Sequence, residues 1–561
     1  MSGVDPRGAC CVILHTHLPY VHHPEYEDFL EEDWLFEAIV ECYLPLLEVY
    51  RGLETDGIPW TIAMSMTPPL VHMLRTPDLQ RKFERYLARR LALAEKLAAR
   101  PDRDPREEAT AEHYVETYSR LTALWKELDG DLVAAFRDLA ATGRLELLAS
   151  SATHAFLPLL GRPEAVRAQI ELGARLHDEA FGRRPEGFWL PECALDATLE
   201  APLLAAGVRW VVVDRHGVAN ATPRPARAHF APLRLPGGLH AFGRDPECSE
   251  QVWSSVIGYP GDPAYRELYR DVGFDEDYAF IRPFLKPDGI RRNVGLKFHC
   301  VTGKVGLDEK QLYDPALALE RADAHAGDFL RRREEQIRAR LAETGDEVVV
   351  TAPYDTELFG HWWYEGPLFL DRLFRRAAET PSEVFAFRHP GRLLDEGVAA
   401  SPGEVALSTW GRRGFAEVWL NEANRWIWPH VHEAEERMSA WAERHRAEPL
   451  SPERVRLLAQ MGRELLLAES SDWPFIITME TAAHYAERRV RDHVHRFLAL
   501  EDALEGRAYE LAELDRVERH DAIFPDLDPA LWAPAAAGDP TPGEDPPPPA
   551  PPLDGNSERG G

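Results

Sequence analysis

Short apolar runs that stop abruptly at a histidine or a carboxylate recur along this chain, and they constrain its fold more than anything else. Ala9-Cys10-Cys11-Val12-Ile13-Leu14 ends at His15-Thr16-His17, and Gly187-Phe188-Trp189-Leu190-Pro191 ends at Glu192. Gly143 to Ser150 leads to His154, Trp210-Val211-Val212-Val213 ends at Asp214, and Glu347 to Ala352 leads to Asp355. Val294-Gly295-Leu296-Lys297-Phe298 reads as a further strand ending at His299. Runs this short without polar alternation are strands buried on both faces. Helix-patterned stretches separate them, such as the one from Trp34 to Tyr50 and another from Arg162 to Phe181. Strands alternating with helices, with polar groups gathered at strand C-ends, define an α/β fold built on a parallel (β/α) barrel. Chemistry in such folds is done at that rim.

The organisation follows from where the alternation breaks. The charged helical text from about 75 to 141 is too long for one crossover and reads as a helical insertion. The stretch from Asp214 to Gly258 turns to Pro, Arg, Gly and Ala, the composition of a long functional loop. After Pro402 three helical segments are expected, Phe415 to His445, Pro452 to Glu469 and Thr481 to Leu504. The expected division is a catalytic barrel over 1–395, a helical domain over 396–533, and a disordered Pro-rich tail over 534–561.

Composition narrows the function. A net charge of −30 opposes an electrostatic grip on nucleic acid or an anionic membrane. The six cysteines form neither a CxxC pair nor a disulfide framework. Val12-Ile13-Leu14 is too short for a signal-peptide core, and no run approaches a membrane span of ~18 residues. A reducing cytoplasm is the expected setting. The 15 tryptophans suit either a large core or a bed of indoles on which sugar faces dock.

Two carboxylates at the ends of different strands, Glu192 and Asp355, fit glycosidic bond cleavage. One protonates the leaving oxygen while the other attacks the anomeric carbon or activates water; a separation of about 5–5.5 Å implies a covalent intermediate and retention. An ionised Glu192 would raise the pKa of a nearby Asp355 and hold its proton for the leaving group. His15 and His17, two residues apart on one strand, project to the same side. Such a pair can hydrogen-bond a sugar, or hold a metal with a rim aspartate as in carbohydrate deacetylases. A barrel that binds glucan without cleaving it is a third reading, ill suited to an intact carboxylate pair.

Five blocks carry a resemblance: His15 to Tyr20, Gly143 to His154, Phe188 to Ala194, Ala352 to Trp363, and Ala468 to Trp473. Their order resembles the five motif regions of glycoside hydrolase family 57, over roughly residues 9 to 500. Within it the chain is most similar to the 1,4-α-glucan branching enzymes. The resemblance implies a (β/α)7 barrel, a distorted TIM-like ring, with a helical insertion and a C-terminal helical domain. It implies retaining catalysis without metal or cofactor, Glu192 as nucleophile and Asp355 as general acid/base. His15, His17 and His154 would line the donor site. Trp34, Trp253, Trp410 and Trp419 would hold the glucan, and Asp472 falls in the fifth region. Trp189, beside the nucleophile, and His299 complete the expected substrate contacts. The partner is then an α-1,4-glucan such as glycogen or amylose, and a monomer suffices; hydrolysis or 4-α-glucan transfer on the same machinery is the alternative.

One departure bears on that alternative. In branching members a tyrosine on the loop after the nucleophile strand stands over the site. No tyrosine lies between Arg215 and Gly258, where His216, His229 and Phe230 are the candidates. Water and a glucan 6-hydroxyl compete for the glycosyl-enzyme, and ~1.4 kcal/mol between their barriers changes the partition tenfold.

Overall fold

A computed structural model of the protein describes residues 6–101 and 104–534. Most of the Pro-rich tail expected from 534 onward therefore lies outside the described residues.

The strands are β1 (Gly8–Thr16), β2 (Ile62–Met66), β3 (Leu145–Ser150), β4 (Gly187–Trp189), β5 (Trp210–Val213), β6 (Leu233–Arg234), β7 (His240–Gly243), β8 (Val348–Asp355), β9 (Phe385–Phe387) and β10 (Ser401–Pro402). Parallel pairing runs β8-β1-β2-β3-β4-β5-β7. A single parallel bridge, Arg244 to Thr351, joins the end of β7 to β8 and closes a ring of seven strands. The ring is uneven. β9 pairs with the first residues of β1 while β2 pairs with the last. β6 is antiparallel to β7 outside the ring, and β10 extends it.

Side-chain parity sorts the strands into two cores. Ala9, Cys11 and Ile13 meet Ala63, Leu148, Trp189, Trp210, Val212, Phe242 and Val349 inside the barrel. Cys10, Val12 and Leu14 point outward to the helices. All nine residues of β1 are buried, which is why the run reads as continuously apolar. Carried two residues at a time to the rim, the inward parity selects His15, Ser65 and Asp355.

Four helices fill the interval from β2 to β3, the two long ones being Pro77–Ala98 and Pro105–Glu127. A 30-residue helix, Pro315–Thr344, precedes β8; Asp314 caps its first backbone N–H groups and Gly345 ends it at φ +70°. After the barrel come helices Ile427–Ala447, Pro452–Ala468, Asp472–Met479, Ala483–Leu504 and Leu511–His520. Among the described residues, no helix is long and apolar enough to cross a membrane.

Three expectations are corrected. Val294 to His299 forms no strand: His299 and Cys300 make only isolated bridges, to Leu312 and Arg266. Gly295 at φ +79° and the charged Lys297 break the run. The interval 214–258 is not a plain loop, since it contains β6, β7 and helix Pro246–Trp253; β7 is only four residues long and too short to show periodicity. The helix expected from Phe415 starts at Ile427, because 412–418 is taken up by short turns with Arg413 and Gly414 in left-handed backbone.

Candidate active site

Glu192 leaves β4 through a tight turn. Pro191 has no N–H for the ladder, and Cys193 N–H and Ala194 N–H fold back onto the carbonyls of Leu190 and Pro191. The turn needs left-handed backbone at two non-glycine residues, Glu192 (φ +61°) and Cys193 (φ +50°). His154, at φ +58°, is a third. Such residues cost of order 1–3 kcal/mol each and persist only where the surroundings over-determine them. Here the surroundings come from beyond the barrel. Leu195 exchanges backbone hydrogen bonds with Ser408, Trp410 N–H donates to the Glu192 carbonyl, and Ser471 N–H donates to the His154 carbonyl.

The carboxylate is held at both oxygens. Trp410 Nε1–H donates to Oε2 at 2.8 Å, and Ser471 Oγ donates to Oε1 at 3.1 Å. His154 Nδ1 lies 3.9 Å from Oε1. Asp355 ends β8 in register with His15, so strand order sets the two carboxylates on opposite sides of the ring. Burial pushes the Glu192 carboxyl up to about 8; the neighbouring Asp355 and Asp472 charges add to this, while the Trp410 and Ser471 hydrogen bonds oppose it. Burial pushes Asp355 up to about 6 against the pull of Arg244 and His17. Arg244 also lies over the Trp410 ring at 5.4 Å, which places one guanidinium near both carboxylates. Taken one at a time, these values leave the proton on Glu192 rather than on Asp355, opposite to the expected order; facing each other across the ring, the two carboxyls share it as a pair.

Three imidazoles form the wall between them. His15 Nε2 and His154 Nε2 are hydrogen-bonded at 2.9 Å, and His15 Nδ1 meets Ser65 Oγ at 2.7 Å. His15 stacks on Trp189 with ring centres 4.4 Å apart and planes 8° from parallel. Burial, reinforced by the neighbouring histidines, holds both His15 and His154 well below the ordinary histidine range. They are neutral at pH 7. His17 Nε2 faces both Asp472 oxygens at 3.0 and 3.1 Å, and its Nδ1 meets Thr67 Oγ1. Burial would raise the Asp472 carboxyl, but the His17 imidazole more than offsets it and keeps the group below the usual range.

His17, His154 and Asp472 are close enough to share one ion, the feature that makes the deacetylase chemistry attractive. The rings argue otherwise. An imidazole binds a metal in its own plane, and His17 and His154 are stacked 3.8 Å apart and 15° from parallel. They cannot aim two lone pairs at one ion without turning. Hydrogen bonding to a polar ligand requires no such turn.

The other expected contacts divide. Trp410 touches Glu192. Trp34 is half-buried, edge-on to Tyr485 at 6.0 Å, on the side where Trp473 follows Asp472. Trp253 is 55% exposed at the end of a helix that climbs beside β8, with Asp245 N–H on the Thr351 carbonyl and Tyr354 Oη on the Cys248 carbonyl. Trp419 is instead buried against Phe156 behind Gly411, whose missing side chain its ring occupies. His299 is away from the rim as well, half-way through the excursion after β7, with Asp275 at 3.6 Å. His229 and Phe230 do not cover the carboxylates. His229 bonds Asp245, and Phe230 lines a recess with Glu347 and Val348, at the start of β8. Asp355 stands seven residues further on, about 23 Å at ~3.3 Å per residue. His216 is at the rim, tied to Asp214 and the Gly414 carbonyl.

Four residues were not singled out in the sequence: Ser65, Arg244, Glu357 and Ser471. Ser65 was readable from the parity of β2. Arg244 was hidden with β7. Glu357 accepts from Tyr43 Oη at 2.6 Å below Asp355, and burial and the Asp355 charge push it up to about 8. Ser471 comes from a helix start 279 residues beyond the group it touches.

A parallel seven-stranded ring with two part-buried rim carboxylates facing across imidazoles and indoles defines a carbohydrate-processing barrel. The chain belongs to glycosyl hydrolase family 57, whose model matches residues 11–390; residues 430–532 match the model of the 1,4-alpha-glucan branching enzyme C-terminal region. It is 34% identical to a 1,4-alpha-glucan branching enzyme of Thermococcus kodakarensis over 89% of this chain and 74% of that protein. Among solved structures it is similar to the alpha-amylase AmyC of Thermotoga maritima, with 40% identity, a TM-score of 0.88, and 94% and 99% of the two chains covered. It is also similar to the branching enzyme of Pyrococcus horikoshii, with 32% identity, a TM-score of 0.83, and 97% and 100% covered.

Proposed function

We propose that this protein is a retaining 1,4-α-glucan branching enzyme. Glu192 attacks the anomeric carbon while Asp355 gives its proton to the departing glycosidic oxygen, leaving a glycosyl ester on Glu192. Asp355, now the base, takes the proton of a glucan 6-hydroxyl, whose oxygen displaces Glu192 and forms the α-1,6 branch. The exposed ring of Trp253 offers the apolar face on which a sugar can dock.

One observation carries the reading: the nucleophile is completed from the C-terminal part of the chain. Trp410, Ser471 and Asp472 all converge on Glu192 or its histidine wall, and the last two lie within the stretch that resembles the branching-enzyme C-terminal region. A second reading has its own support. Neither His229 nor Phe230 stands over the carboxylates, and one similar solved structure is that of an alpha-amylase. Incubation with amylose separates them. Branching yields α-1,6 linkages with few new reducing ends, whereas reducing ends without branches would sink the first reading. Glu192→Gln should bind glucan and lose turnover by at least a thousandfold.

A further inference from the structure

The hydrogen bonds around Glu192 join into one buried chain with a fixed direction. Its links are Thr16 N to Ser65 Oγ (3.3 Å), Ser65 Oγ to His15 Nδ1 (2.7 Å), His15 Nε2 to His154 Nε2 (2.9 Å), His154 Nδ1 to Ser471 Oγ (2.8 Å) and Ser471 Oγ to Glu192 Oε1 (3.1 Å). The carboxylate end sets its polarity while Glu192 is ionised, and the Thr16 N–H is compatible because Ser65 Oγ has two lone pairs to accept with. A backbone N–H can only donate, and an ionised carboxylate can only accept. Each hydroxyl therefore donates toward Glu192, and each neutral imidazole donates from one nitrogen and accepts at the other. His15 is the Nε2–H tautomer and His154 the Nδ1–H tautomer. No link is left unmatched, and the reverse polarity requires a protonated Glu192.

We propose that Ser471 is a positioning residue for the nucleophile, and that the chain Ser65–His15–His154–Ser471 favours the ionised form of Glu192 and aims its Oε1. The inference rests on Glu192 being the nucleophile. The physical need is plain. Glu192 is part-buried, faces Asp355 and Asp472, and among the described residues has no Lys or Arg in salt-bridge contact, while the Arg244 guanidinium lies over the Trp410 ring. His154 and His17, the other titratable groups packed beside it, form the stacked pair described above. Burial and two carboxylates would favour the protonated acid, which is a poor nucleophile. Two donors oppose this, Trp410 and Ser471. Trp410 is a simple donor. Ser471 is a hydroxyl that could also turn and accept, and the histidines behind it remove that option, because His154 Nδ1 already supplies its proton. Ordered donors in a dry site polarise one another. Reversal would require both imidazoles to change tautomer together, and the stacking of His15 on Trp189 holds its ring in place. His15 and His154 thereby acquire a task besides lining the sugar site.

The test compares the wild type with Ser471→Ala, Ser471→Thr and Glu192→Gln on amylose across pH. In Ser471→Ala the loss of a hydrogen bond to a charged group should lower kcat about ten- to a hundredfold. The acid limb of the kcat/KM profile should move to higher pH, because the protonated acid has lost an opponent. KM should stay within about threefold, since the hydroxyl faces the nucleophile. Ser471→Thr retains a hydroxyl and should restore most of kcat and the wild-type limb. Neutron diffraction of the wild type reads the chain directly, with deuterons expected on His15 Nε2 and His154 Nδ1, and it decides the matter even if Ser471→Ala does not fold. A wild-type pH profile and kcat in a folded Ser471→Ala, or a deuteron on His154 Nε2, would overturn the proposal. Turnover retained in Glu192→Gln would instead overturn the nucleophile assignment.

Discussion

At the scale of single residues, the site is a place where charge is kept scarce. Two carboxylates share a part-buried rim, each pushed up by burial, to about 8 for Glu192 and about 6 for Asp355. On the proposed mechanism, the working form of the pair carries one proton. Below about 6 both groups hold one and no nucleophile is ionised; above about 8 both are ionised and no acid remains. A bell-shaped kcat/KM profile with its limbs in that window is expected, and a flat profile from pH 5 to 9 would contradict it. The same shifts have a cost for stability. A carboxyl whose pKa is raised on folding binds its proton more tightly in the native state, so its contribution is present below the unfolded value and is lost as pH rises through the folded one. Glu192→Gln should therefore melt at a higher temperature than the wild type at pH 8, and the difference should vanish near pH 4. Much of this was legible in the sequence. A proline that ends a strand sets Glu192 at a rim, and the two-residue step from Val349 to Asp355 aims the second carboxylate inward. Ser471 was not legible, because nothing local marks a serine whose partner is 279 residues away.

At the scale of elements, closeness of backbone decides where the rim residues stand. Helix Pro163–Phe181 packs so tightly on β3 that a Cβ on Gly173 would lie 2.0 Å from the Ser150 carbonyl oxygen. Ser150 starts the segment that delivers His154, which in turn holds Ser471. Gly173→Ala should therefore cost about 1–3 kcal/mol by overpacking and also lower kcat. Gly52→Ala, in helix Leu44–Thr55, meets only Arg375 Nη2 at 4.0 Å and serves as the control, with stability unchanged or slightly improved. Thermal melts and amylose turnover of the two variants check both statements. The longer strands, β1 and β8, were visible as apolar runs. β7 was not: four residues between a proline-rich stretch and a capped helix carry too little pattern, although it is the strand that closes the ring. Val294 to Phe298 failed in the opposite sense. Its residues are apolar enough for a strand, but they spend their burial inside an excursion stabilised by its own contacts.

At the scale of the whole molecule, the barrel does not contain its own active site. Glu192 is pinned by Trp410 and Ser471, His17 by Asp472, and helix Pro163–Phe181 by the Gln169 to Glu469 hydrogen bond at 2.6 Å. A chain ending at 395 keeps both carboxylates and every ring strand. It should nonetheless show no measurable turnover of amylose, and adding the separate 396–561 segment should restore some if the two associate. The expected division at 395 thus separates elements of structure without separating function.

The left-handed turn at Glu192 adds a consequence in time. A protein is made from its N-terminus, and domains fold in that order as they emerge. Every barrel strand has left the ribosome before residue 410 is made, and Ser471 follows later still. During that interval the turn at Glu192 lacks the partners that hold it, so a half-made chain has a scaffold but no armed nucleophile. On the proposed mechanism, catalytic competence then arrives only when synthesis is nearly complete, and an unfinished copy released early would be inert.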